Sequence, residues 1–290
     1  MFRKAERKKA RLRLGLVGPS GSGKTYSALL IAKGLGGKVA IVDTENKSAD
    51  LYASLTDYDV AEMSPPYETE KYIRAIEAAE KAGYNVLILD SISHAWSGEG
   101  GLLDRQGKIA DSGKGNSYTA WRSVTPLHNK FIDKILSSNL HIIATMRAKT
   151  EYVLQTNDRG KQEPKKVGLQ PIQREGMDYE FTVVLDLDTN HNCTVSKDRT
   201  GLFDGKIFTP GVATGEVLLA WLEEGKEQIL MATTEQLKSI ATIMKSKGHV
   251  GETVLIELSK DLNRKIVSSK EITSDEATDW IETHKNSEAM

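Results

Sequence analysis

The chain is poor in several residue types, and each scarcity excludes something. Its one cysteine, Cys193, in 290 residues excludes an internal disulfide and points to a reducing compartment. No apolar run approaches the roughly 18 residues that would span a bilayer, so no membrane partner is expected. The first residues lack the apolar core of a signal peptide. A cytoplasmic protein is expected. The net charge of -1 rules out a generally basic nucleic-acid coat, so contact with a polyanion must come from local patches. The six histidines have no metal-ligand spacing, and His141, inside an apolar run, reads as a satisfied core or edge residue. Asn192-Cys193-Thr194 matches a glycosylation acceptor only formally. There is no internal repeat and no low-complexity tract.

What is present is organised around Gly18-Pro19-Ser20-Gly21-Ser22-Gly23-Lys24-Thr25, a G-x-x-x-x-G-K-[ST] phosphate-binding loop. Glycines let successive backbone N–H groups turn inward around phosphate oxygens. Lys24 can reach the β- and γ-phosphates as a point charge, and the Thr25 hydroxyl suits one position on Mg²⁺. Leu12, Leu14 and Leu16 alternate upstream as a strand would. Ser27 to Leu35 follows as a helix whose N-terminus favours the phosphates. ATP and Mg²⁺ are the cofactors this pattern implies.

Lys38 to Asp43 reads as a buried parallel strand ending in Asp43-Thr44-Glu45. Strand C-termini carry the chemistry of open α/β sheets, so Glu45 is a candidate to orient or deprotonate an attacking water. Ala49 to Leu55 reads as one or two helical turns, and Glu68 to Ala82 as a helix stopped by Gly83. Asn85 to Ser91 is a second apolar strand, and the carboxylate at its tip, Asp90, suits Mg²⁺. Residues 98–116 hold six glycines and predict a mobile functional loop. Trp121 to Leu136 predicts a helix, and Leu140 to Thr145 the next strand.

Residues 147–175 carry Arg147, Lys149, Arg159, Lys161, Lys165, Lys166 and Arg174 and read as a basic hairpin arm for phosphate backbones. A solvated loop is the bland alternative. A second basic cluster, Arg3 to Arg13, reads as a solvated N-terminal helix or as a docking or DNA-contacting arm. Glu180 to Leu187 and Asn192 to Ser196 predict an antiparallel pair, followed by Lys197-Asp198-Arg199. Thr214 to Glu224 closes the domain as a helix, and 225–232 is the expected linker. Three helices follow: Thr234 to Lys247, Glu252 to Leu262 and Ser274 to His284.

This order of parts resembles the RecA-like core of recombinases and hexameric helicases, over roughly residues 12–225. Val39 to Glu45 resembles the segment that supplies the catalytic glutamate. Leu87 to Ser91 resembles the Walker B strand. Ile142 to Lys149 resembles the sensor strand, with Thr145 where a γ-phosphate-sensing glutamine would stand. Lys197 and Arg199 resemble the fingers that reach ATP held by a neighbouring subunit. The likeness is closest to compact RecA-core proteins of phages. It implies an α/β P-loop NTPase with a mostly parallel RecA-like sheet flanked by helices, at 1–226 with the basic N-terminal arm, and the three last helices read as a small helical C-terminal appendage at 233–290. It implies a DNA-stimulated ATPase acting on single-stranded DNA in recombination or strand annealing, in bacterial or phage-infected cytosol. It also implies self-association into a ring or filament, and partners such as a single-strand DNA-binding protein. A helicase or helicase-loading motor is the alternative enzyme, and a nucleotide-gated DNA-binding module with negligible hydrolysis is the alternative of another class.

Overall fold

The computed structural model describes residues 4–112, 117–156, 162–226 and 231–286, and among these the side chains of 117, 150–156, 162–168, 252, 285 and 286 are not described. The chain divides into two units, Ala10–Gly225 and Met1–Lys9 with Lys226–Met290.

In the larger unit the strands are β1 (Arg13–Gly18), β2 (Val39–Asp43), β3 (Asp59–Glu62), β4 (Val86–Asp90), β5 (His141–Thr156), β6 (Gln162–Pro171), β7 (Val183–Leu187), β8 (Cys193–Asp198) and β9 (Ile207–Phe208). They form one sheet in the order β3-β2-β4-β5-β1-β7-β8-β9, with β6 paired to β5. The first six strands of that order run parallel. β8, β9 and β6 run antiparallel to their neighbours. The fold is an α/β P-loop NTPase fold with a largely parallel central sheet.

The unbroken apolar strands have a physical reason. Ile41, Ile88 and Leu16 pack on one face with α1 (Lys24–Leu35) and α6 (Val212–Glu223). Val42, Leu89 and Val17 pack on the other with α2 (Thr69–Lys81) and α5 (Ser117–Ser137). Both faces are covered, so alternation disappears from the sequence. Gly34 and Gly215 let α1 and α6 touch backbone to backbone. A Cβ on Gly34 would stand 2.1 Å from the Val212 carbonyl oxygen, and one on Gly215 at 2.1 Å from that of Ile31.

Three expectations change. Residues 98–112 are not a simple loop, since α4 (Leu102–Asp111) follows α3 (Ser93–Ser97); residues 113–116 lie outside the described residues. The Asp104 carboxylate accepts from the Gly100 N–H at 2.8 Å, and Leu102 is buried. Glycine count outweighed the helix formers between the glycines. Glu180 belongs to a 3₁₀ turn, Met177–Glu180, and the strand starts only at Val183. The strand expected to end at Thr145 continues to Thr156 as one side of the β5–β6 hairpin. The tip of that arm, with Arg159 and Lys161, lies outside the described residues. Lys165 and Lys166 lie on β6, opposite Val153 and Tyr152.

In the smaller unit the Lys226 N–H donates to the Arg7 carbonyl at 3.0 Å, and the Lys9 N–H donates to that of Lys226 at 2.9 Å. α7 (Thr234–Ser246), α8 (Glu252–Asp261) and α9 (Ser274–Asn286) enclose Ile240, Met244, Leu258, Ile272 and Trp280. Thr233 and Gln236 start α7 with reciprocal bonds of 3.1 and 2.8 Å, a capping box.

Candidate nucleotide site

The site lies at the C-terminal edge of the parallel strands. β1 ends at Gly18, the loop turns through Gly21 and Gly23 at φ of 76° and 84°, and α1 begins at Lys24. Left-handed backbone at these two positions favours glycine. Lys24 Nζ donates to the carbonyls of Gly18 and Pro19, both at 2.9 Å. The ammonium is thus held inside the loop, where a phosphate oxygen can take over from a carbonyl. Burial lowers its pKa, against the opposing charges of Asp90 and Glu45.

Thr25 Oγ1 donates to Asp90 Oδ2 at 2.5 Å. Asp90 is buried at the end of β4. Burial raises its carboxyl pKa, and the hydrogen bonds from Thr145 and Thr25 oppose that rise. A hydroxyl and a carboxylate beneath the phosphate loop form the hard-oxygen donor set that Mg²⁺ prefers.

Glu45 follows β2. Asp43 builds its turn: Oδ1 accepts from the Glu45 N–H at 2.6 Å and Oδ2 from the Ala49 N–H at 2.9 Å. Thr44 joins the turn to β4, since its N–H donates to the Asp90 carbonyl at 2.7 Å. The Thr44 hydroxyl also accepts from the Ser91 N–H at 2.8 Å and lies 2.7 Å from His94 Nδ1. His94 stacks on Tyr67 with ring centroids 4.7 Å apart. Asp43 and Thr44 position Glu45, a role the sequence signals only by their adjacency to it.

Two site residues have partners that the sequence does not indicate. Thr145, expected at the γ-phosphate-sensing position, donates its hydroxyl to Asp90 Oδ1 and is fully buried. Arg147, expected among the nucleic-acid contacts, turns back onto the site. Its Nε donates to Glu45 Oε1 at 2.8 Å and its Nη2 to Oε2. Two residues further along β5 the same side of the strand is presented again, and this brings Arg147 clear of the core beside Glu45. Burial acts to raise the Glu45 carboxyl, but the hydrogen bond and charge of Arg147 hold it below its ordinary value.

Lys197 and Arg199 lie at the other edge. β8 runs antiparallel, so Lys197 pairs with Val184 and Asp198 with Val183, while Val184 pairs with Gly15. This places them three or more residues below Gly18, at least about 10 Å along the strands. Lys197 Nζ donates to the carbonyls of Asp178, at 2.9 Å, and Tyr179. Arg199 donates to that of Tyr179 at 2.8 Å. Lys149 is exposed on β5, just beyond Arg147.

A phosphate loop, a buried carboxylate against its threonine and a glutamate one strand away define a P-loop ATPase. The family model of the AAA domain matches residues 10–207, more than half of the chain, and the chain belongs to that family. It is an ATP-binding and ATP-hydrolysing enzyme of the P-loop class. No curated protein matches the chain. Among solved structures it is similar to a prototypical ATPase from the type III secretion system of pathogenic bacteria. The identity is 14% and the TM-score 0.40, over 95% of this chain and 79% of that one. Among the described residues no helix is long and apolar enough to cross a membrane.

Proposed function

We propose that this ATPase couples hydrolysis to the handling of single-stranded DNA in recombination or strand annealing, as an assembly of several copies. The observation that carries the reading is the continuity of β5. One strand bears Thr145 on Asp90, Arg147 on Glu45, and then the basic β5–β6 arm. The arm is tied to the site at its base. The Ile172 N–H donates to the Arg147 carbonyl at 2.7 Å, and Gln173 Nε2 to that of Ile92 at 3.0 Å. A polyanion lying along Lys149, Arg159, Lys161, Lys165 and Lys166 would act on the strand that holds both carboxylates. Salt-dependent phosphate contact is the expected binding mode.

In the chemical step Lys24 and the loop amides bind the phosphates, and Glu45 orients the water and accepts its proton. Arg147 occupies both oxygens of Glu45, so Glu45 takes up that role once Arg147 gives way. Mg²⁺ would be held by Thr25 and Asp90 and would offset the charge of the phosphates. Lys197 and Arg199 are set away from their own phosphate loop by the register of β8, which suits service to a neighbouring copy. Membership of the AAA-domain family favours a second reading, a helicase or helicase-loading motor built from the same parts.

The test is ATP turnover with no nucleic acid, single-stranded DNA, duplex DNA and RNA. Stimulation greatest with single-stranded DNA is the expected result. Unwinding of a forked duplex would favour the motor, and equal turnover in all four would remove nucleic acid from the function. Binding without turnover in any of them would mark a nucleotide-gated module.

A further inference from the structure

The groups that would act on the γ-phosphate lie to one side of β1. Asp90, Glu45 and Arg147 belong to β4, β2 and β5, whereas β7 and β8 lie on the opposite side. A triphosphate is a linear chain. With its γ-phosphate turned toward Asp90 and Glu45, its nucleoside end leaves the loop toward β7 and β8.

The turn between β7 and β8 waits there, pressed against both ends of the phosphate loop. A Cβ on Gly18 would stand 2.9 Å from the Leu187 carbonyl oxygen, and one on Gly23 would stand 3.1 Å from His191 Nδ1. The turn is fixed by its own bonds. Asp188 Oδ1 accepts from the Asn190 and Asn192 N–H groups at 2.8 and 3.0 Å, and the His191 N–H donates to the Asp188 carbonyl at 3.1 Å. His191 itself has φ 65°, a left-handed conformation uncommon for a residue other than glycine and associated with functional positions. The imidazole is exposed, while its ring lies against the backbone that would hold the β-phosphate.

We infer that His191 is a nucleoside-contacting residue, which meets the ribose and adenine of bound ATP as they leave the phosphate loop. An imidazole offers a flat face to a purine and ring nitrogens to the sugar hydroxyls. The inference rests on nucleotide binding at the loop and adds a contact that recognises the nucleoside rather than the phosphates.

Titration of wild type, H191N and H191A with a non-hydrolysable ATP analogue and with magnesium tripolyphosphate separates the two. Asparagine tolerates the left-handed backbone, so H191N guards against a turn that refolds. The expected result is a loss of about tenfold in affinity for the ATP analogue, the scale of one aromatic–base contact. Affinity for tripolyphosphate should stay within about twofold of wild type, well below that tenfold scale. Equal losses for both ligands would show that His191 only shapes the loop, and no loss for either would overturn the contact. Wild-type protein that binds neither ligand would remove the nucleotide site, and this inference with it. In the unsubstituted protein, His191 imidazole resonances should shift with the ATP analogue and not with tripolyphosphate; the same shift with both would overturn the assignment.

Discussion

The two edges of the parallel sheet treat their charges differently. At the C-terminal edge charges have partners that a ligand can replace: Glu45 meets Arg147, Asp90 meets Thr25 and Thr145, and Lys24 meets the Gly18 and Pro19 carbonyls of the phosphate loop. At the N-terminal edge cations meet neutral carbonyls. The buried Arg13 guanidinium donates to the carbonyls of Leu12 at 2.8 Å, Leu140 at 2.7 Å, Leu136 at 3.1 Å and Ser138. Lys197 and Arg199 donate to those of Asp178 and Tyr179. A cation held by the carbonyls of a packed turn closes that turn, whereas the carbonyls that hold Lys24 belong to a loop that a phosphate can enter. An ion pair half open to water can be traded for a phosphate or a metal at small cost. Reactivity therefore gathers at one edge and anchoring at the other, with Lys197 and Arg199 as the pair that tests the division.

The largest effect is expected at the reactive edge. Lys24→Ala should abolish nucleotide binding, because among the described residues no other side chain places a cation within the loop. Isothermal titration with a non-hydrolysable ATP analogue measures it, and unchanged affinity would remove the phosphate-loop assignment.

Next comes Arg199→Ala, which pits the anchoring role against the finger role. A finger serving a neighbouring copy predicts loss of about 10³-fold in turnover with nucleotide binding intact. Mixtures of Arg199→Ala and Lys24→Ala subunits should then recover part of the activity where a sound loop faces a sound finger. Turnover that merely tracks a small drop in melting temperature, with no recovery in mixtures shown to co-assemble, would leave Arg199 as an anchor of the Tyr179 carbonyl.

Glu45→Gln should keep ATP binding and lose about 10²–10⁴-fold in turnover, the range for a general base. The amide keeps the shape but cannot accept the proton from water. Single-turnover kinetics would reassign Glu45 if the chemical step stays within about threefold of wild type, well below that range.

The smallest effect concerns pH and the anchoring edge. Burial, reinforced by the charges of Arg11 and Arg13, pushes His141 down to about 4. Between that value and the ordinary 6.5 the unfolded chain binds more protons than the folded one, so stability falls as pH drops through this window. A loss of roughly 2 kcal/mol by pH 4.5 is expected from this residue. Asp186, pushed up to about 6 by burial, acts in the opposite direction over part of the same range. The comparison that isolates the histidine is urea denaturation of wild type and His141→Gln at pH 7 and 4.5. A variant as acid-sensitive as wild type would acquit His141.

Much of this is legible in the sequence. The phosphate loop, the strands ending in Glu45 and Asp90, and most helices are local patterns. Loop chemistry needs particular residues at particular spacings, and a strand covered on both faces needs an apolar run. Composition misleads at residues 98–112, where Gly98, Gly100, Gly101 and Gly107 obscure α4, which carries Gly107 within it.

What only the tertiary structure decided is which charges meet. Glu45 and Arg147 are 102 positions apart, and their pairing depends on β2, β4 and β5 lying side by side. The same placement turns the Thr145 hydroxyl onto Asp90. Strand order sets β7 and β8 on the far side of the phosphate loop, and the antiparallel direction of β8 sends its turn toward that loop and its cations away from it. Local sequence determines which element forms and what chemistry it carries at its tip. Sheet order and strand direction, set by the packing of both faces, determine which of those tips come together.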